Sequence, residues 1–237
     1  MQFNEAQIQA IQHNTGPCMV IAGPGSGKTT VLTHRVRYLI ERYGVNPSDI
    51  LVITFTKAAA EQMKLKFKGL SEGRNSAVTF GTFHAVFFTI LKAAYNYSAH
   101  CIIKPQIQHE FVKDQMCRLE LEYDDEKEAV AGVLSEISCV KGEAVNIDEY
   151  ESRCIPPQSF RIMYRAYDDM LVRKHLIDFD DMIVQCRELL MQREDYRRAW
   201  QNKYKYILID EFQDINKAQF DVVRILADDT EIFLWWG

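Results

Sequence analysis

Residues 22–30 read AGPGSGKTT and continue a short apolar run, Cys18–Ala22. Gly25 and Gly27 bracket Ser26, so the backbone can wrap around phosphate oxygens without Cβ obstruction. The amides of such a turn form a nest at the start of a helix, whose dipole favours negative charge. Ala22, Gly23, Pro24, Gly25, Ser26, Gly27, Lys28, Thr29 and Thr30 are therefore the candidate nucleotide-binding residues. Lys28 can reach β- and γ-phosphates, and the Thr29 hydroxyl can ligate Mg²⁺. The flanks suit this reading: 18–22 has the length of a buried parallel strand, and Thr29–Tyr43 has helical spacing. The strict phosphate-loop pattern would place glycine at position 22, where this chain has Ala22.

A second apolar run, Tyr206–Ile209, ends in Asp210 and Glu211. Carboxylates at the carboxyl end of a central strand lie where α/β sheets bind ligands. Asp210 is the candidate Mg²⁺ holder, through water, and Glu211 the candidate acceptor of a proton from an attacking water. Alone, such a pair often just ends a strand; paired with the loop, it points to a nucleoside triphosphate bound with magnesium.

Lys28 and Asp210 lie 182 positions apart, more than a phosphate-loop core needs. Strand candidates are Cys18–Ala22, Ile50–Phe55, Ala77–Phe80, Tyr206–Asp210 and Glu231–Trp236. They alternate with helical stretches at Thr29–Tyr43, Ala58–Leu70, Phe83–Tyr95 and Lys217–Ala227, as in a parallel α/β sheet. Between about 96 and 195 the pattern becomes consecutive helices: Gln106–Leu121, Glu126–Val140, Pro157–Lys174 and Phe179–Gln192. The expected fold is α/β, a phosphate-loop parallel-sheet core in two parts, 1–95 and 196–237, with an all-helical domain inserted at 96–195.

Composition narrows the class. No run approaches the ~18 apolar residues of a membrane span, and MQFNEAQIQA lacks the basic flank and apolar stretch of a signal peptide. Six scattered cysteines without a C-x-x-C pair point to reduced thiols in a cytoplasmic protein rather than a disulfide frame or zinc site. A net charge of −5 does not fit a simple basic nucleic-acid module. Locally, however, Lys57, Lys64, Lys66, Lys68 and Arg74 outnumber Glu61 and Glu72, which suits either a solvated helix face or a phosphate-contacting one.

The motifs in order resemble those of the UvrD/Rep/PcrA-like superfamily I DNA helicases, over the whole chain. FNEAQIQAI at 3–11 is similar to the family's Q motif, and AGPGSGKT to its motif I, which accepts alanine at position 22. ITFTKAAAEQM at 53–63 resembles motif Ia and GTFHA at 81–85 motif Ib. IDFDDMI at 177–183 resembles the segment closing the inserted domain, and ILIDEFQD at 207–214 motif II. DEFQD is far more specific than a bare carboxylate pair.

The resemblance implies an ATP-dependent, 3′-to-5′ translocase of DNA repair or recombination, with a RecA-like core. ATP and Mg²⁺ are its cofactors and single-stranded DNA its partner. Gln7 would read adenine, since a carboxamide offers both donor and acceptor. Lys28, Asp210, Glu211 and Gln213 would be catalytic, Gln213 sensing the γ-phosphate, and Thr29 and Asp210 would hold the metal. Thr56 and Thr82 would contact DNA phosphates, Phe55 would stack on a base, and His84 would lie near the same path. Without the resemblance, Phe55 could be buried at a strand end and His84 could cap the following helix.

Two departures stand out: Thr30 occupies a position where many members carry an arginine beside the adenine, and Lys57 follows TFT directly. EIFLWWG at 231–237 aligns with the strand entering motif III. The chain therefore reads as the first half of a motor, inactive alone, with the second motor domain and its arginines absent. Two other classes are a small-molecule kinase, disfavoured by Gln7, DEFQD and the helical insert, and an ATP-binding scaffold subunit of a helicase–nuclease complex without turnover.

Overall fold

The computed structural model describes residues 3–13, 16–23, 25–71, 77–227 and the backbone of 233–236. Pro24, Glu72, Arg74, Glu231, Gly237 and the side chains of Trp235 and Trp236 lie outside the described residues. In chain order the elements are α1 (Glu5–Gln12), β1 (Cys18–Val20), α2 (Lys28–Tyr43), β2 (Ile50–Thr54), α3 (Lys57–Leu70), β3 (Thr79–Thr82) and α4 (Phe83–Ala94). There follow α5 (Pro105–Arg118), α6 (Glu126–Gly142), α7 (Pro157–Lys174), α8 (Phe179–Gln192), α9 (Glu194–Lys203), β4 (Tyr206–Ile209), α10 (Lys217–Ala227) and β5 (Phe233–Trp236).

The strands form one parallel sheet in the order β1-β5-β4-β2-β3. The register pairs Ile53 with Ile209 and Thr54 with Thr82, so these strands end at nearly the same level. A parallel strand needs a crossover connection, and α2, α3 and the long excursion from α4 to α9 supply them. All five residues of β2 are buried, as expected of a strand covered on both faces. Ile50 and Val52, with Leu208, pack against α1, α2 and α3. Leu51 and Ile53, with Ile207 and Ile209, pack against α4, α8, α9 and α10. Two-residue alternation thus feeds one core on each face of the sheet.

A third core is made by helices alone: Val112 and Met116 of α5, Val133 and Ile137 of α6, and Phe160, Met163 and Tyr167 of α7. Helix α8 does not join it. Met182, Ile183, Cys186 and Leu189 are buried with Phe83, Phe87 and Val222 on the sheet side, although the sequence grouped α8 with the helical segment 96–195. Two helices were not anticipated, α1 and α9. The strand expected at Ala77–Phe80 starts two residues later, at Thr79, and β1 stops at Val20. Among the described residues, no helix is long and apolar enough to cross a membrane.

Candidate functional site

The carboxyl ends of β1, β2, β3 and β4 share one edge of the sheet. Four loops leave it: 21–27 after β1, Phe55–Thr56 after β2, the junction at Thr82 after β3, and Asp210–Asp214 after β4. Ligands of open α/β sheets bind in the crevice outside this edge.

In the first loop Gly25 (φ +77°) and Gly27 (φ +79°) adopt the left-handed conformation, which a side chain would strain. Gly27 also ends the loop as the N-cap of α2, and no side chain caps that helix. The Thr30 and Val31 amides donate to the Gly27 carbonyl at 2.9 and 3.0 Å, and the amides of Lys28 and Thr29 ahead of them have no capping side chain. The hydroxyls of Thr56 and Thr82, by contrast, cap α3 and α4, accepting from the amides of Ala59 at 3.1 Å and Ala85 at 3.2 Å. The Ser26 hydroxyl oxygen is buried without a partner among the described residues. Thr29 sits in the open first turn of α2.

The carboxylate turn comes to meet this loop. Asp210 continues the β4 ladder, its amide donating to the Ile53 carbonyl at 2.9 Å. Its side chain is buried, and Oδ1 has no hydrogen-bond partner among the described residues. Burial first, then neighbouring Glu211, push this carboxyl up from 3.8 to about 6, against the pull of Lys28. Glu211 is one of four non-glycine residues described with positive φ, at +57°, a sparsely populated state that often marks a functional turn. Lys28 Nζ lies 3.6 Å from Glu211 Oε2. Gln213 donates to the same oxygen at 2.6 Å and to Asp214 Oδ2 at 3.2 Å. Lys28, Asp210, Glu211 and Gln213 are thus brought together.

Gln7 is brought to the loop as well, but its amide is engaged at both ends. Nε2 donates to the Ser26 carbonyl at 3.0 Å, and Oε1 accepts from the Asn4 amide at 3.0 Å in the cap of α1. The sequence suggested an adenine reader; here the side chain splints α1 to the glycine loop. Thr30 is met by a residue the motif reading had not assigned to this site. Lys66 of α3 donates to the Thr30 hydroxyl at 3.1 Å, a pairing over 36 positions that no local pattern announces.

The remaining candidates lie along the other half of the edge. Phe55 is half-buried, its ring 5.3 Å from that of Phe83. Thr82, Gly81 and Phe80 form a groove with Lys57 and Lys64 of α3. His84 is removed from that groove. Its ring lies 5.1 Å from Phe179, at a cleft shared with Gln108, Ser138 and Asp178. Burial lowers the His84 pKa, which favours the neutral imidazole.

No cluster of three or more His, Cys, Asp or Glu residues gathers for a metal among the described residues. Asp210 and Thr29 suit a magnesium ion that takes only one or two protein ligands and completes its shell with phosphate and water.

Comparison with known proteins agrees with this motif order. A family model described as the UvrD/REP helicase N-terminal domain matches residues 3–237. The ATP-dependent DNA helicase Rep of Escherichia coli (strain K12) is 34% identical over 256 aligned residues, covering 100% of this chain and 37% of Rep. The ATP-dependent DNA helicase PcrA of Staphylococcus epidermidis (strain ATCC 35984) is 32% identical over 252, covering 99% of this chain and 34% of PcrA. The chain thus spans about a third of the length of these relatives. The motif order, the parallel sheet and the match across residues 3–237 place the chain in the UvrD/REP helicase N-terminal domain family.

Proposed function

We propose that this chain is the ATP-binding motor unit of an ATP-dependent DNA helicase that travels 3′ to 5′ on single-stranded DNA during repair or recombination. The observation that carries the reading is the meeting of Lys28 and Glu211 at 3.6 Å, from loops that follow β1 and β4. In this reading a RecA-like core, 1–95 and 196–237, is interrupted by a helical domain at 96–195, with α8 packed on the core side. The relatives are about three times as long as this chain, which leaves room for the second motor domain that the resemblance implies. The setting is cytoplasmic.

The residues present fit Mg-ATP. The uncapped amides of α2 receive phosphate oxygens, and Lys28 leaves Glu211 to meet the β- and γ-phosphates. Asp210, with an unpartnered buried oxygen, and the Thr29 hydroxyl would hold magnesium. Magnesium, when bound, neutralises phosphate charge. Glu211, released from Lys28, can then accept a proton from water, and Gln213, already on Glu211, is placed to report the γ-phosphate to the turn. Gln7 must release Ser26 to read adenine. Phe55, Thr56 and Thr82 hold the strand by stacking and phosphate contacts that carry no sequence information, and His84 faces the separate cleft beside Phe179.

Calorimetry tests the nucleotide assignment. Mg-ATP binds the unmodified chain, and Lys28→Ala abolishes binding with the fold retained. Equal affinity in the two proteins rejects the proposal.

A further inference from the structure

Helix α6 ends in two buried residues, Lys141 and Gly142. The Lys141 ammonium lies 2.7 Å from Asp181 Oδ1, 3.0 Å from Asp178 Oδ2 and 3.1 Å from Asp168 Oδ1. One cation therefore ties α6 both to α7 and to the first turn of α8, where Asp178 is the N-cap. Burial alone would lower the Lys141 pKa; the three carboxylates outweigh it and raise it, so the lysine stays charged. Removing that charge would leave buried carboxylates facing one another, a costly arrangement.

Gly142 makes a different contact. A Cβ at this position would come 2.8 Å from Asn216 Nδ2. Asn216 stands two residues beyond Asp214 and forms a reciprocal pair with Gln219 in the first turn of α10: Gln219 N donates to its Oδ1 at 2.8 Å, and its own amide donates to Gln219 Oε1 at 3.1 Å. On the opposite flank, Asp178 and Asp180 border the cleft of His84 and Phe179. The end of α6 thus touches the exit of the carboxylate turn, and its lysine holds the wall of that cleft.

We propose that the Lys141–Gly142 end of α6 is a positioning element for the ATP reaction, linking the Glu211–Asp214 turn to the first turn of α8. Nucleotide at Lys28 and single-stranded DNA at the edge of β2 and β3 alter each other's affinity through it. This rests on the ATP and DNA reading above. Only a residue without Cβ admits this approach of Asn216 to α6, and Lys141 is bound to three carboxylates at once. Packed junctions of this kind switch between discrete arrangements rather than deform smoothly, and coupling between two ligands is reciprocal.

The test is the affinity of a fluorescent oligothymidylate for the 237-residue chain, without and with saturating magnesium and a non-hydrolysable ATP analogue. In the unmodified chain the analogue changes the dissociation constant about fivefold or more. In Gly142→Ala the ratio falls to within about twofold of unity, while the affinity for each ligand alone is kept. If Gly142→Ala fails to fold, Asp168→Ala reads the same ratio, because this carboxylate is 41% exposed and its loss removes one of the three partners of Lys141 while Asp178 and Asp181 stay paired. A merely structural role lowers the melting temperature and leaves the ratio unchanged; that result overturns the proposal. So does a ratio of one in an unmodified chain that binds both ligands. Failure of the unmodified chain to bind either ligand overturns the functional reading, and this positioning role with it.

Discussion

Lys28 Nζ rests 3.6 Å from Glu211 Oε2, and Gln213 donates to the same oxygen at 2.6 Å. The cation proposed to meet phosphate and the carboxylate proposed to accept a proton from water hold each other. Binding must break that pair. A partly exposed ion pair is worth ~0.2–1 kcal/mol, so Glu211→Gln is expected to tighten Mg-ATP binding by about 1.5- to 5-fold. Any hydrolysis falls at the same time. Calorimetry and a steady-state phosphate assay read the two effects separately, and weaker nucleotide binding by the variant contradicts the pairing argument.

Asp210 gives a dependence on pH. Its carboxyl is raised from 3.8 to about 6 by burial and by Glu211, so the folded chain holds this proton more tightly than the unfolded one. The stability it contributes is complete below about pH 4 and is lost as pH rises through about 6. Metal binding runs the other way, because magnesium needs the carboxylate. Magnesium-dependent nucleotide binding should therefore weaken below about pH 6. Asp210→Asn should lose that dependence and melt no lower than the unmodified chain, since an uncompensated buried charge is gone. A clear drop in its melting temperature contradicts this account.

Thr56 combines a cap with a proposed DNA contact, and the two roles separate by substitution. Thr56→Ala should cost about 1 kcal/mol in urea denaturation, the usual value of a lost N-cap. Thr56→Asp keeps an acceptor for the Ala59 amide, so stability is retained while the added negative charge weakens oligothymidylate binding. Equal DNA affinity in the aspartate variant would remove Thr56 from the DNA path.

Binding of single strands should also fall as salt rises, through lost counterion release. Phe55→Ala should cost about 1–3 kcal/mol of that affinity if a base stacks on the ring. Fluorescence titrations at two salt concentrations check both. A salt-independent affinity, or a preference for one duplex sequence, counts against the groove between α3 and α4.

The sequence was informative wherever periodicity and local chemistry act together. Helices α7, α8 and α10 fall where spacing put them, and the glycine loop and carboxylate pair meet as their strand-end positions required. Helix α9 was missed because half of EDYRRAWQNK is charged and the helix buries only Trp200 and Gln201. In α1 a legible capping box, Asn4 with Gln7, was passed over for a ligand role. Which core a helix joins was not legible. The apolar stripe of α8 would suit either neighbour, and only long-range packing puts Cys186 beside the sheet rather than among α5, α6 and α7. Lys66 on Thr30 and Lys141 among three aspartates are likewise products of tertiary approach.

The bare amino end of α2 has a thermodynamic consequence. Threonines cap the first turns of α3 and α4, but the N-cap of α2 is Gly27, and no side chain claims the amides of its first turn. In the proposed reading a phosphate group supplies that cap, and the ligand completes a secondary-structure element. Occupancy should therefore register as a melting shift that grows with the logarithm of ligand concentration. It should also slow amide exchange in residues 26–30 beyond simple shielding, as the helix gains the terminus its sequence withholds.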